Sequence, residues 1–382
     1  MRCYGWLLLK LLNNLKYDQI KNNNYRFLLI SIAGCAPTKK LGDNRGELSA
    51  VNITPVGRFY FSQGKLALVS TAVHFGYSFT GIESKVYVSL PVAKSHNYLQ
   101  YEVDGVYKGK IRIEEDSTAY IALKAPTNGQ HTVWVYKTTE AHTGDIFIER
   151  IVAANIKPVV EANAPMIEFI GNSITCGAAA DTSLIGCGKG AYHDQHNAYF
   201  SYGPRVARAL KMNFMISAVS GIGVYRNWNS NGPTMPQVYE KTNLLDTIAG
   251  DWLFKKYAPK IVSIALGTND FSSGDGKKSR LPFDSATFVS SYINFVKLVK
   301  AKYPAAQVAL LSSPMVTGKN GTILEHCLIA VKHQIDAAFS TDKPVAVHFV
   351  QPINTYGCGT HPSVEGHALM AKELVPFFKS LL

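Results

Sequence analysis

The sequence predicts an all-β sandwich of jelly-roll type followed by an α/β domain built on a parallel sheet. Three observations carry that prediction. Short runs rich in Val, Ile, Tyr and Thr, separated by turn residues, fill positions 50–157, and no helical periodicity interrupts them. From Met166 onward, apolar runs alternate with longer amphipathic segments, the pattern of a parallel sheet covered on both faces. Between the two regimes, Pro158 to Pro165 marks the domain boundary.

In the first half, Lys85–Leu90, Tyr98–Val103 and His131–Tyr136 read as strands. Asp104-Gly105 and Asn128-Gly129 read as hairpin turns. In the second half, Met166–Ile170, Phe214–Val219, Ile261–Leu266, Val308–Ser312 and Val345–Val350 read as buried strands. Helices are expected over Tyr199–Lys211, Ser285–Lys300, Ile323–Phe339 and Val364–Leu381. Sites in such sheets lie beyond the carboxyl ends of the strands. Ser173, Gly221 and Asn269 all fall there.

The chain has 382 residues and 47% apolar content, ample for packed cores. It is expected to divide into a leader (1–34), a tether (35–49), a β domain (50–160) and an α/β domain (161–382). The formal charge is +12, of which the leader holds +4. The remaining basic residues are scattered, with no run of five, so a basic solvated surface is expected and no nucleic-acid partner.

The leader carries a basic stretch from Lys21 to Arg26, then a short apolar run, Phe27 to Ala33, too short to span a bilayer. Ile32-Ala33-Gly34-Cys35 follows and resembles a bacterial lipobox. That resemblance implies lipidation of Cys35, a membrane anchor at the new N-terminus, and an exported lipoprotein facing the periplasm or the cell surface. The alternatives are a truncated secretion signal or a leading core helix. Once Cys3 and Cys35 are set aside, Cys176, Cys187, Cys327 and Cys358 remain, and four cysteines allow three pairings. Cys187, His193 and His196 have loose metal spacing, but the segment is Gly-rich and lacks a second cysteine pair, so no metal is expected.

Three segments bear chemistry. Ile167-Glu-Phe-Ile-Gly-Asn-Ser173-Ile-Thr-Cys-Gly177 places a serine just after a buried run. Leu266-Gly-Thr-Asn269-Asp270 ends another run with an amide donor. His361-Pro-Ser-Val-Glu-Gly-His367 sets an imidazole before the last helix. A serine hydroxyl needs a base within hydrogen-bond reach to act as a nucleophile. Ser173 also suits a helix N-cap, and His361 a solvated loop. Cys176 is a competing nucleophile and His367 a competing imidazole. Gly221, in Ala218-Val-Ser-Gly221-Ile-Gly223, allows close backbone approach to a ligand. With Asn269 and the Ser173 N–H it makes a three-donor oxyanion hole; the plain alternatives are a turn glycine and an Asx-turn. Trp228 offers a flat apolar face for a substrate ring or packs in its loop. Asp270 is expected to hold the Asn269 loop rather than move a proton.

Gly-Asn-Ser-Ile, Ser-Gly, Gly-Thr-Asn-Asp and His-Pro-Ser resemble the four blocks of the SGNH (GDSL-type) hydrolases. More narrowly, residues 50–382 look like carbohydrate esterase family 2, with His131-Thr-Val-Trp-Val-Tyr-Lys-Thr-Thr-Glu140 and Gly144 carrying the likeness in the first half. The resemblance implies a jelly roll joined to a three-layer, flavodoxin-like α/β domain. It also implies removal of O-acetyl groups from plant-type polysaccharides such as xylan or mannan, without a cofactor. By motif, Ser173 is the nucleophile, His361 the base, and Ser173, Gly221 and Asn269 the oxyanion donors.

Two departures stand out. Asn172 replaces the usual aspartate beside the nucleophile. The aspartate usually found two or three residues before the histidine is also absent, since Cys358 and Gly359 occupy those places and no acid occurs between Asp342 and Glu365. A main-chain carbonyl accepts only, so it fixes the same tautomer that an acid would. A Ser173–His361 dyad steadied by a carbonyl is therefore expected. The competing readings are a decayed carbohydrate-binding surface lipoprotein and a lipase or thioesterase on the same scaffold.

Overall fold

Residues 45–159 fold as the expected antiparallel sandwich, in nine strands. They are β1 (Arg45–Ser49), β2 (Phe59–Ser62), β3 (Lys65–Leu68), β4 (His74–Ser89), β5 (His96–Val103), β6 (Val106–Glu114), β7 (Tyr120–Lys124), β8 (Gln130–Lys137) and β9 (Ile146–Val159). The computed structural model describes residues 45–277 and 279–382. The leader and the Cys35 lipidation site lie outside the described residues. No helix among the described residues is long and apolar enough to cross a membrane.

Strand pairing follows the order β2-β3-β9-β4-β8-β5-β6, with β1 on β9 and β7 on β4. The long strand β4 serves two layers. Its first part, His74–Thr80, pairs with β8, and Glu83–Tyr87 pairs with β7. Gly81, at φ +120°, sits between the two parts, in a conformation open to glycine. Phe75, Tyr77, Phe79, Val133, Val135, Ile146 and Ile148 fill the space between the layers.

Two expectations need correction. Residues 45–49, read as the end of the tether, form β1, because Leu48 is buried and the backbone pairs with Arg150–Ala154. Asp104-Gly105 is a hairpin turn with both φ positive, but Asn128-Gly129 is not a hairpin. The strands on either side of it, β7 and β8, both pair with β4 and not with each other, so the chain crosses between layers there.

The second half alternates strand and helix. The strands are β10 (Met166–Gly171), β11 (Asn213–Ala218), β12 (Ile261–Ala265), β13 (Gln307–Leu311) and β14 (Ala346–His348). The helices are α1 (Ser173–Cys176), α2 (Tyr202–Ala209), α3 (Met235–Val238), α4 (Thr268–Phe271), α5 (Ser285–Lys302), α6 (Gly318–Ala338) and α7 (Val364–Lys379). The sheet order is β11-β10-β12-β13-β14, all parallel. That is the flavodoxin-like order, whose switch point lies at the first strand, here β10. Helices α5 and α6 cover one face through Phe288, Tyr292, Leu324 and Leu328. Helices α2 and α7 cover the other through Tyr202, Val206, Leu374 and Phe378. Helix α2 starts at Tyr202, not Tyr199, because the residues before it are taken by the β domain. Asn197 Oδ1 accepts from Gln100, and Tyr199 donates its hydroxyl to Glu102.

Candidate active site

Strand β10 ends at Gly171, where an added Cβ would lie 2.0 Å from Thr175 Oγ1, so only glycine fits beneath the turn. Asn172 caps α1, its Oδ1 accepting from the Ile174 N–H at 3.1 Å. Its Nδ2 donates to Thr268 Oγ1 at 3.2 Å. An ionised aspartate could accept at the cap but could not donate to Thr268. The amide at position 172 thus ties the serine turn to the turn carrying Asn269.

Ser173 and His361 meet, although 188 positions separate them. The Ser173 hydroxyl lies 2.8 Å from His361 Nε2. On the far side of the ring, His361 Nδ1 lies 3.2 Å from the Cys358 carbonyl. A carbonyl can only accept, so Nδ1 carries the hydrogen and Nε2 is the bare nitrogen facing the serine. Burial pulls the His361 pKa below its usual value, while the Cys358 and Gly359 carbonyls pull it back up. The segment supplying that carbonyl is bonded covalently, because Cys187 and Cys358 form a disulfide with Cα atoms 5.3 Å apart.

Gly221 follows β11 at φ +78°, a conformation that favours glycine. Asn269 is buried and donates from Nδ2 to the Ile222 carbonyl at 2.7 Å, which orients the amide. Asp270 is also buried and accepts from the backbone N–H groups of Val224, Tyr225 and Arg226. Burial pushes its carboxyl up to about 6 against those three donors. It therefore clamps the loop after Gly221 onto the Asn269 turn, a longer reach than its sequence position suggested. Ser173, Gly221, Asn269, His361 and Trp228 all line one cavity of about 1030 Å³. The Trp228 side chain is half exposed in its wall.

The competing residues lie elsewhere. Cys176 is fully buried, and burial together with nearby Glu140 keeps its thiol protonated. His367 is buried under α2, where its Nδ1 accepts from the Tyr202 N–H at 3.3 Å, and burial drives its pKa down to about 3. The loose spacing of Cys187, His193 and His196 gathers no common site. Cys187 is in the disulfide, and His196 donates to Glu140 at 2.9 Å. His193 lies instead near His96 and Asp194. There the Asp194 carboxylate already accepts from His96, Tyr98 and the Ala191 N–H.

Two features of the site escaped sequence reasoning. The spacing of the four cysteines could not single out the Cys187–Cys358 bond, which leaves Cys176 and Cys327 as free thiols. The β domain also reaches the cavity, where His142 lines the wall. Behind the wall the buried Glu140 carboxylate accepts from the Ser220 N–H at 2.6 Å. The available signal was Glu140 itself, an acid closing the strand motif that begins at His131.

Residues 55–162 match the family model for the carbohydrate esterase 2 N-terminal domain, and residues 167–374 match that for GDSL-like lipase/acylhydrolase. The chain is 31% identical over 345 residues to the cellulase/esterase CelE of Acetivibrio thermocellus, covering 85% of this chain and 39% of that protein. The chain thus spans well under half of that relative. It is 23% identical over 365 residues to an acetylxylan esterase/glucomannan deacetylase of Cellvibrio japonicus, covering 92% and 95% of the two chains. Among solved structures, a family two carbohydrate esterase from Clostridium thermocellum, in complex with cellohexaose, superposes with a TM-score of 0.73 at 27% identity. That match covers 88% of this chain and 98% of the other.

Proposed function

Since the chain belongs to the GDSL-like lipase/acylhydrolase family and carries the N-terminal domain of carbohydrate esterase family 2, we propose that it is a serine esterase removing O-acetyl groups from plant-type polysaccharides or oligosaccharides such as xylan and mannan. The observation that carries this reading is the His361 ring, held between the Ser173 hydroxyl and the Cys358 carbonyl.

In the proposed mechanism, Ser173 Oγ attacks the acetyl carbonyl carbon while His361 Nε2 takes its proton. The carbonyl oxygen gains negative charge and is met by the N–H groups of Ser173 and Gly221 and the Asn269 amide. Collapse breaks the C–O bond to the sugar, whose oxygen leaves with the proton from His361. A water activated by the same imidazole then releases acetate from Ser173. Among the described residues no carboxylate hydrogen-bonds to His361, so the imidazolium is backed by main-chain carbonyls, with Glu140 a more distant charge. An ester is easier to cleave than an amide, so that weaker support suffices.

Acyl-chain preference is the direct test. Hydrolysis of p-nitrophenyl acetate and acetate release from acetylated xylan or glucomannan are expected, with turnover falling steeply for long-chain esters. A preference for long chains would move the reading to a lipase or thioesterase. The missing acid gives some support to a second reading, a sugar-binding protein without turnover, and acetate release separates the two.

The acid limb of kcat/KM supplies another check. The base must be neutral, so activity is lost as pH falls through the His361 pKa. Burial sets that pKa below the ordinary 6.5. The rate is therefore expected to rise to a plateau that is complete by neutral pH, and an apparent pKa above 6.5 would rule out His361 as the base described here. Export belongs to the same proposal, and the Cys187–Cys358 bond supports it because disulfides persist in oxidising compartments.

A further inference from the structure

We propose that Glu140, contributed by the β domain, is a positioning residue for the oxyanion hole of the hydrolase domain. Its carboxylate fixes the Ser220 peptide and, through it, Gly221. The inference rests on the mechanism proposed above and adds a residue that this mechanism does not use.

Glu140 stands just after β8 and is 1% exposed. One carboxylate oxygen accepts from the Ser220 N–H at 2.6 Å, and the other from the Ser220 hydroxyl. The second oxygen also accepts from His196 Nε2 at 2.9 Å. His142 Nδ1 lies 3.6 Å from the first. Burial alone would favour the neutral acid, but nearby His142 and the hydrogen bond from His196 hold the carboxyl well below its usual range.

The turn that presents this carboxylate is itself rigid. Buried Lys137 donates to the main-chain carbonyls of Glu140 at 3.2 Å and Gly144 at 2.7 Å. The Thr143 hydroxyl donates to the Glu140 carbonyl at 2.7 Å. Gly144 closes the turn at φ +80°. Little of the structure in this segment is free to follow a shift at Ser220.

Ser220 is the residue before Gly221, and Ser220 and Gly221 both line the cavity. The Gly221 N–H belongs to the peptide that begins at the Ser220 carbonyl, so its direction follows the Ser220 backbone. Glycine at φ +78° resists rotation poorly by itself. Holding Ser220 at both its N–H and its hydroxyl removes that freedom. The gain is realised where the oxyanion forms, which predicts an effect on kcat rather than on substrate binding.

The experiment uses the full chain and p-nitrophenyl acetate, with acetylated xylo-oligosaccharide as second substrate. Glutamine at position 140 offers one acceptor oxygen where two are needed, for Ser220 and for His196. Glu140→Gln is expected to fold, as read by circular dichroism and thermal melting. Its kcat should fall about 10²-fold with KM within about twofold. Ser220→Ala removes the hydroxyl donor only and is expected to lower kcat about tenfold. The double variant should be no slower than Glu140→Gln alone, because both act on one peptide. A folded Glu140→Gln enzyme with wild-type kcat, or one altered only in KM, overturns the inference. Should Glu140→Gln fail to fold, Ser220→Ala decides, and an unchanged kcat there also overturns it. An inactive wild-type enzyme would instead sink the proposed function, so the two failures are distinguishable.

Discussion

Replacing Ser173 with alanine is expected to lower acetyl-ester hydrolysis by about 10⁴–10⁶-fold while the protein stays folded. In the proposed mechanism the hydroxyl forms the bond to the acetyl carbon, and no neighbour can substitute for it. Cys176, three residues on, is buried, and its thiol is held protonated. His361 would keep its carbonyl partner and its tautomer but have no proton to take from position 173. Residual turnover would come from the oxyanion donors and a water activated by the imidazole. The side chain removed is small and its hydroxyl bonds to His361, so stability should change little. The measurement is p-nitrophenyl acetate turnover beside a thermal melt. If the alanine variant turned over substrate within about tenfold of wild type, the nucleophile would have to lie elsewhere in the cavity.

Substituting Arg58 by methionine is expected to destabilise the protein by about 3–5 kcal/mol, by stranding a buried charge. Arg58 comes from the β domain and is fully buried. Its Nε donates to Ser217 Oγ at 3.0 Å, one Nη to the Tyr239 carbonyl at 2.9 Å, and the other to the Lys241 carbonyl. Trp252 and Tyr239 flank the guanidinium, with ring centroids 4.9 and 5.3 Å away. The counter-charge is Glu168 on β10, 4.0 Å distant and also fully buried. Burial raises the Glu168 carboxyl, and Arg58 is the main influence pulling it back down. Without the arginine, Glu168 keeps Ser217 at 2.6 Å and Tyr239 at 2.9 Å but loses its cation. Denaturant unfolding of Arg58→Met measures the cost. Adding Glu168→Met should recover much of it, because an apolar pair of similar volume avoids the stranded charge. If the double variant were less stable than Arg58→Met, the loss would belong to packing and not to electrostatics.

The fold was legible because its signals are local. Buried runs such as residues 308–311 are continuous and apolar, and α5 and α7 carry capping residues, Asp284 and Ser363, at their starts. Ser173, Gly221, Asn269 and His361 stood out because each follows a strand or opens a helix, where an α/β sheet exposes its ends. What stayed hidden depends on distant partners. Glu140 bonds to Ser220, 80 positions away, and Arg58 to Ser217, 159 positions away. Nothing in the spacing of either residue marks such a partner. Asn128-Gly129 misled for the opposite reason. The dipeptide favours a tight turn wherever it falls, but here the chain had to change layers. The Asn172 amide was visible as a departure, yet its use became clear only once Thr268 was seen beside it.

Recombination in evolution often treats a β-sandwich as portable cargo, clipped on or lost at a linker. A break at Pro158–Pro165 in this protein would not release an intact catalytic half. It would leave Glu168 without its cation, Tyr199 without the Tyr136 ring it packs against, and Asn197 without Gln100. A change on one side of this seam therefore leaves a buried group on the other side without its partner. Grafting either onto a foreign neighbour would require rebuilding the polar seam, residue for residue, on the new partner.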